Sequence, residues 1–120
     1  MKILVLTSTM DVKSGWGRYT HDLIKTLEAQ GIQVFVENIS FPLSWKRNIL
    51  LSPFLALRIY FKYRSKGLNV IHCVVEPFAL IAKILSVISQ KPYLITLHGT
   101  YSIFFLPNFI SGHLQRYTYR

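Results

Sequence analysis

The residues best placed to do chemistry stand near the start of the chain. Ser14-Gly15-Trp16-Gly17-Arg18-Tyr19-Thr20 lies between an apolar run, Lys2 to Thr7, and a helical pattern reaching Gln30. Gly15 and Gly17 permit positive φ and a close approach of backbone to a ligand. Where a helix begins, backbone N–H groups are unpaired and the helix dipole is positive, which suits a phosphate. The same residues also read as a plain flexible turn ahead of a helix. The dinucleotide fingerprint G-x-G-x-x-G is incomplete, because Thr20 occupies the third glycine position. Glu37 lies about 20 residues further on, where such folds carry a ribose-binding acid. The missing glycine and the long approach from the strand both count against a dinucleotide site.

A second candidate is His98, followed by Gly99 and Thr100 at the end of the apolar run Tyr93 to Leu97. A histidine at the rim of a sheet can donate to a phosphate or move a proton; a packing or capping role is the alternative. His72 falls inside a strand pattern and reads as a hydrogen-bonded structural residue. His21 and His113 fall on helical patterns and read as solvent-facing. The histidines have no metal-ligand spacing, so no metal is expected. Cys73, the single cysteine, lies in an apolar strand pattern, with no partner for a disulfide and no motif that would activate it.

Charge gives a third candidate. Between Glu37 and Glu76 there is no acid, but there are Lys46, Arg47, Arg58, Lys62, Arg64 and Lys66. Arg58, Lys62 and Lys66 recur at helical spacing, interleaved with Leu55, Ile59, Tyr60, Phe61 and Tyr63. A basic, aromatic, amphipathic element of this kind suits an anionic membrane surface, each basic residue contributing about 1 kcal/mol near it. It reads equally as a solvated face of a helix covering a sheet. No nucleic-acid module or RNP string is present, so nucleic acid is not an expected partner.

These residues must be positioned by alternating elements. Strands are expected at Lys2–Thr7, Gln33–Ile39, Asn69–Val74 and Tyr93–Leu97. Helices are expected at Trp16–Gln30 (inner stripe Tyr19, Leu23, Ile24 and Leu27), at Pro53–Ser65 with Ser52 as N-cap, and at Pro77–Ser89. Phe41 to Leu51 reads as irregular, and Pro107 to Arg120 as a loop entering another helix. Strand followed by helix, repeated, predicts an α/β fold with a doubly wound parallel sheet and ligands at the C-terminal ends of its strands.

Composition bounds the rest. The 120 residues suffice for one domain with a real core. Charged residues are 16% and hydrophobic residues 51%, apolar against an ordinary ~25% charged. A partner surface or a membrane would account for the excess. The net charge of +9 favours polyanionic partners. The N-terminal apolar run falls short of the ~7–15 residues of a signal-peptide core. Ile49 to Phe61, interrupted by Ser52, Pro53 and Arg58, falls short of the ~20 residues of a membrane span. The expectation is a reducing cytoplasm, with peripheral attachment at the cytoplasmic membrane face.

Taken in order, these segments resemble the opening of the retaining glycosyltransferases of the GT-B fold, family 4. The glycine segment, continued by Leu23, Leu27, Gly31 and Val34, is similar to a stretch whose common wording is Gly-Gly-x-Gly-Arg-Tyr. Asn69-Val70-Ile71-His72, a helix with Ala79 and Ala82, and Lys91-Pro92-Tyr93-Leu94-Ile95-Thr96-Leu97-His98-Gly99-Thr100 follow in the family's order. The resemblance covers nearly the whole chain. It departs at Ser14 for the first glycine, Asn69 for a common aspartate and Val74 for a frequent second histidine. It implies the N-terminal, acceptor-side Rossmann-like domain, half of a two-domain architecture. That domain would lack its last strands, and the nucleotide-sugar-holding C-terminal domain would be absent. It implies a nucleotide-sugar donor as co-substrate rather than a cofactor, and a glycan or lipid-linked acceptor. It implies diphosphate and substrate contacts around Gly15, Trp16, Gly17, Gly99 and Thr100, with His98 beside the sugar. The chain alone would be inactive. A non-catalytic α/β module docking on an anionic membrane through Lys46, Arg47, Arg58, Lys62 and Lys66 is the alternative.

Overall fold

The computed structural model describes residues 1–39 and 45–98, with residues 45–48 placed as helix backbone only. β1 (Lys2–Thr7) leads to α1 (Gly15–Ala29), then β2 (Gln33–Asn38), α2 (Trp45–Tyr63), β3 (Val70–Cys73), α3 (Ala79–Ser89) and β4 (Tyr93–Ile95). Short 3₁₀ turns, Arg64–Lys66 and Glu76–Phe78, follow α2 and precede α3. The strands form one parallel sheet in the order β2-β1-β3-β4. β1 is central, with Leu6 opposite Glu37 on one side and Cys73 on the other. Its residues Ile3 to Leu6 are continuously apolar because both faces of the sheet are covered. Leu4, Val5 and Leu6 are fully buried.

The chain leaves β1 toward β2 and then crosses back to β3 on the far side. Right-handed crossovers therefore put α1 on one face and α2 and α3 on the other. α2 and α3 pack against each other. The fold is α/β, Rossmann-like and doubly wound, as the alternating sequence pattern predicts. Gly31, with φ of +76°, reverses the chain after α1, a backbone conformation that favours glycine.

Two sequence expectations are corrected. α2 begins at Trp45, not Pro53, and Pro53 lies inside it. Ser52 is buried in the same inward row as Ala56, Ile59 and Tyr63. It is therefore a core-facing helical residue rather than a cap, and burial of that row extends the helix through the proline. Pro53 itself is exposed. On α1, Leu23 and Leu27 pack on the core, but Tyr19 is not part of that stripe and is exposed.

The seven residues between β1 and α1 are tightly tied. Asp11 N–H donates to Thr9 Oγ1 and Lys13 N–H to Asp11 Oδ1, both at 3.0 Å. The Asp11 carbonyl accepts from the Ser14 backbone N–H (3.0 Å) and hydroxyl (2.9 Å). Gly17 is buried against this turn. A Cβ built there would stand 2.0 Å from the Asp11 carbonyl oxygen and 2.8 Å from its nitrogen. Neither Gly15 nor Gly17 has positive φ. What Gly17 supplies is the absence of a side chain, not a turn conformation. Replacing Gly17 with Ala must displace backbone, and overpacking of that kind costs about 1–3 kcal/mol. Equilibrium urea unfolding should show this loss for Gly17→Ala, while Gly15→Ala, with open space around its Cβ, should unfold no more readily than the parent.

Candidate functional site

A doubly wound sheet opens a crevice where successive crossovers diverge, outside the C-terminal ends of the strands. Here that switch lies between β1 and β3. Three segments border it: the loop after β1 with the start of α1, the segment after β3 from Val74 to Glu76, and the segment after β4 ending at His98.

Ser14 is the N-cap of α1, and its hydroxyl oxygen accepts from Gly17 N–H at 3.0 Å. This is the ordinary use of serine at that position. It satisfies one donor of the first turn and leaves the end at Gly15 exposed, with nothing within 4 Å of where a Cβ would stand. Thr20, at the third glycine position, is fully buried, and its hydroxyl lies 3.2 Å from that of buried Thr7 on β1. Thr20 also donates to the Trp16 carbonyl at 2.8 Å, and Thr7 to the Thr9 carbonyl at 3.0 Å. A pair of hydroxyls thus joins helix to strand where a glycine would otherwise allow close packing.

His98 is brought to the same place. Its ring meets Tyr19 edge-on, with centroids 5.1 Å apart, and lies 6.3 Å from Trp16 at a tilt of 36°. Nε2 is 3.0 Å from the Val74 carbonyl. A carbonyl can only accept, so Nε2 carries the hydrogen. In the neutral ring Nδ1 is then the acceptor, without a partner among the described residues. The imidazole is fixed between α1 and β3 with one nitrogen available, as a residue that handles protons or accepts from a sugar hydroxyl requires.

Behind it, His72 on β3 meets Thr96 (Nε2 to Oγ1, 2.8 Å), and Thr96 in turn lies 3.5 Å from the Tyr19 hydroxyl. Sequence reasoning assigned His72 a structural hydrogen bond, which is what it makes. It gave no sign of Tyr19 and Thr96, because only the sheet order brings residues so distant along the chain together. Cys73 is fully buried, its thiol donates to the Val75 carbonyl at 3.0 Å, and burial pushes it up to about 12. That thiol is not a nucleophile at neutral pH.

The remaining candidates divide. Gly99, Thr100 and His113 lie outside the described residues, as do the side chains of Lys46 and Arg47. Glu37 is not placed to receive a ribose. Its side chain is buried and Oε2 accepts from Lys62 Nζ at 2.6 Å and from the Tyr63 hydroxyl at 2.9 Å, with Arg58 3.9 Å from Oε1. Its hydrogen bond to Glu37 raises the pKa of Lys62, and burial raises that of Tyr63. Lys62 therefore serves the fold as well as the surface. Among the described residues no group of His, Cys, Asp or Glu could hold a metal ion, and no helix is long and apolar enough to cross a membrane.

Comparison with family models, with curated proteins and with solved structures finds no match for this chain.

His72 gives a pH test. Burial lowers its pKa below the usual 6.5. Above about pH 6.5 the residue is neutral in both the folded and the unfolded chain and costs nothing. As pH falls through that value the unfolded chain takes the proton first, so stability is lost until the folded pKa is reached and is then level. The thermal midpoint should fall between about pH 7 and 5 by more in the parent than in His72→Gln. Parallel curves for the two proteins would contradict this assignment.

Proposed function

We propose that this chain is the acceptor-side Rossmann-like domain of a nucleotide-sugar-dependent glycosyltransferase, acting on a glycan or lipid-linked acceptor and working with a second domain that holds most of the donor. The observation that supports it is the convergence, at the β1–β3 switch, of the open N-terminus of α1 at Gly15 with His98 and its available ring nitrogen. The family 4 resemblance of the sequence points the same way.

In this reading the backbone at Gly15 faces the donor diphosphate. The charge that develops on the departing diphosphate is met by the positive end of α1 rather than by a metal. Trp16 stands at the same helix end. Gly17, whose N–H is used by the Ser14 cap, acts by letting the loop close against α1. His98 orients the sugar and acceptor or exchanges a proton with them through Nδ1, with Gly99 and Thr100 next in the chain.

Magnitude decides how much of this one domain can do. A helix end contributes at most about 2 kcal/mol toward an anion in a favourable, partly buried geometry. A millimolar complex needs about 4 kcal/mol. The crevice alone therefore binds diphosphate more weakly than millimolar, and turnover requires the second domain.

Titration of the isotopically labelled chain with pyrophosphate and with UDP, followed by NMR, tests the reading. Amide shifts should centre on Gly15, Trp16 and His98 and remain far from saturation at millimolar ligand. Gly15→Asp places a carboxylate in open space at the helix start, where it complements the dipole. It should abolish these shifts while leaving the melting temperature unchanged or higher. Shifts confined to α2, or shifts that survive Gly15→Asp, would show that the anion binds elsewhere.

A further inference from the structure

The outward face of α2 carries a feature that the crevice does not explain. Leu50, Phe54, Leu57 and Phe61 follow one another at spacings of four, three and four residues, so they share one side of the helix. They are 72%, 69%, 43% and 59% exposed. The opposite side carries the buried row Ser52, Ala56, Ile59 and Tyr63. α2 is thus apolar on two opposed faces, of which the sheet and α3 need one.

Exposed basic groups lie on α2 and in the 3₁₀ turn that follows it. Arg58 and Arg64 are exposed, as are Lys62 and Lys66. The Arg64 guanidinium lies over the Phe61 ring at 5.2 Å. Of these cations Lys62 is held by Glu37, and Arg58 lies 3.9 Å from it. Glu37 is the one acid at this surface among the described residues, and its side chain is buried. Arg64 and Lys66 have no acidic partner among the described residues, and no acid occurs between Glu37 and Glu76.

We infer that α2 lies flat in the surface of an anionic bilayer, with Leu50, Phe54, Leu57 and Phe61 inserted among the acyl chains and Arg58, Arg64 and Lys66 held at the phosphates. Charge complementarity selects this occupant. A second copy would bring the same basic face and repel in a symmetric pair, and residues 99–120 contain arginines but no acid. Large aromatic and aliphatic side chains on one face with basic residues at its margin match an interfacial helix, and the charges along α2 exclude a spanning one. The inference does not depend on what the crevice binds.

The whole chain should be tested by flotation with vesicles of phosphatidylcholine alone and with vesicles that also contain phosphatidylglycerol. Binding should appear with the anionic vesicles and fall as salt rises. Phe54→Ser with Phe61→Ser removes exposed side chains only, so its circular dichroism and melting should match the parent while binding falls by roughly tenfold or more. Arg64→Glu with Lys66→Glu should also weaken binding and remove the preference for anionic lipid. Equal binding to both vesicle types, binding unaffected by the phenylalanine pair, or equally tight binding to an acidic polypeptide that the phenylalanine pair leaves unchanged would overturn the inference.

Discussion

The edge of the sheet where ligands would meet this molecule depends on how α1 is docked to β1. Two contacts a helical turn apart fix it. At one, the backbone of Asp11 occupies the space that a side chain on residue 17 would need. At the other, the Thr7 and Thr20 hydroxyls meet inside the core. Residues 17 and 20 share one side of the helix, and residues 16 and 19 share the neighbouring side. Once Gly17 and Thr20 face the strand, Trp16 and Tyr19 have no freedom but to face the segment after β4, where His98 lies between them and the Val74 carbonyl. The position of the imidazole thus follows from a steric fit at a glycine with which it has no contact.

Much of this architecture was legible in the sequence, for reasons that particular residues show. Ile3 to Leu6 is apolar throughout because it is covered on both faces, and alternation with helical segments then dictates a parallel sheet. What the sequence concealed lay where one residue type serves two purposes. A glycine needed for a ligand's approach and a glycine needed for packing look the same, and Gly17 is the second kind. Ser52-Pro53 has the chemistry of a helix start, yet Ser52 is buried with Ala56 and Ile59, and tertiary burial overrides the local signal. Glu37 has the spacing of a ribose-binding acid, but Arg58, Lys62 and Tyr63 converge on it from a helix whose packing no spacing rule specifies. Tyr19 has the period of a core residue and lies instead against His98 and Thr96.

Glu37 also explains why the basic stripe is not uniformly available. A carboxylate buried at the end of β2 is costly unless its oxygens find partners, and surrounding it with a lysine, a tyrosine and a nearby arginine offsets that cost. The partners come from the last turns of α2, so the stripe divides by function. Lys62 holds the helix to the sheet, and the cations beyond it face outward. A count of positive charges along the helix would overstate what a polyanion meets, whereas the exposed apolar row beside them, which the count ignores, is contiguous.

The two surfaces answer to different energetics, and the topology separates them. The crossover from β2 to β3 that opens the crevice is made by α2 itself, which places α2 on the sheet face opposite α1. The crevice offers a single helix end and one oriented imidazole, which on the proposed reading orient an anion without retaining it. The outer face of α2 offers several large apolar side chains, each contributing about 1.5–3 kcal/mol if fully buried. Under the two proposals, retention belongs to α2 and orientation to the crevice. For a protein acting on a lipid-linked acceptor that division is consistent, since a domain already held at the bilayer meets its acceptor at high local concentration and needs from the crevice only direction.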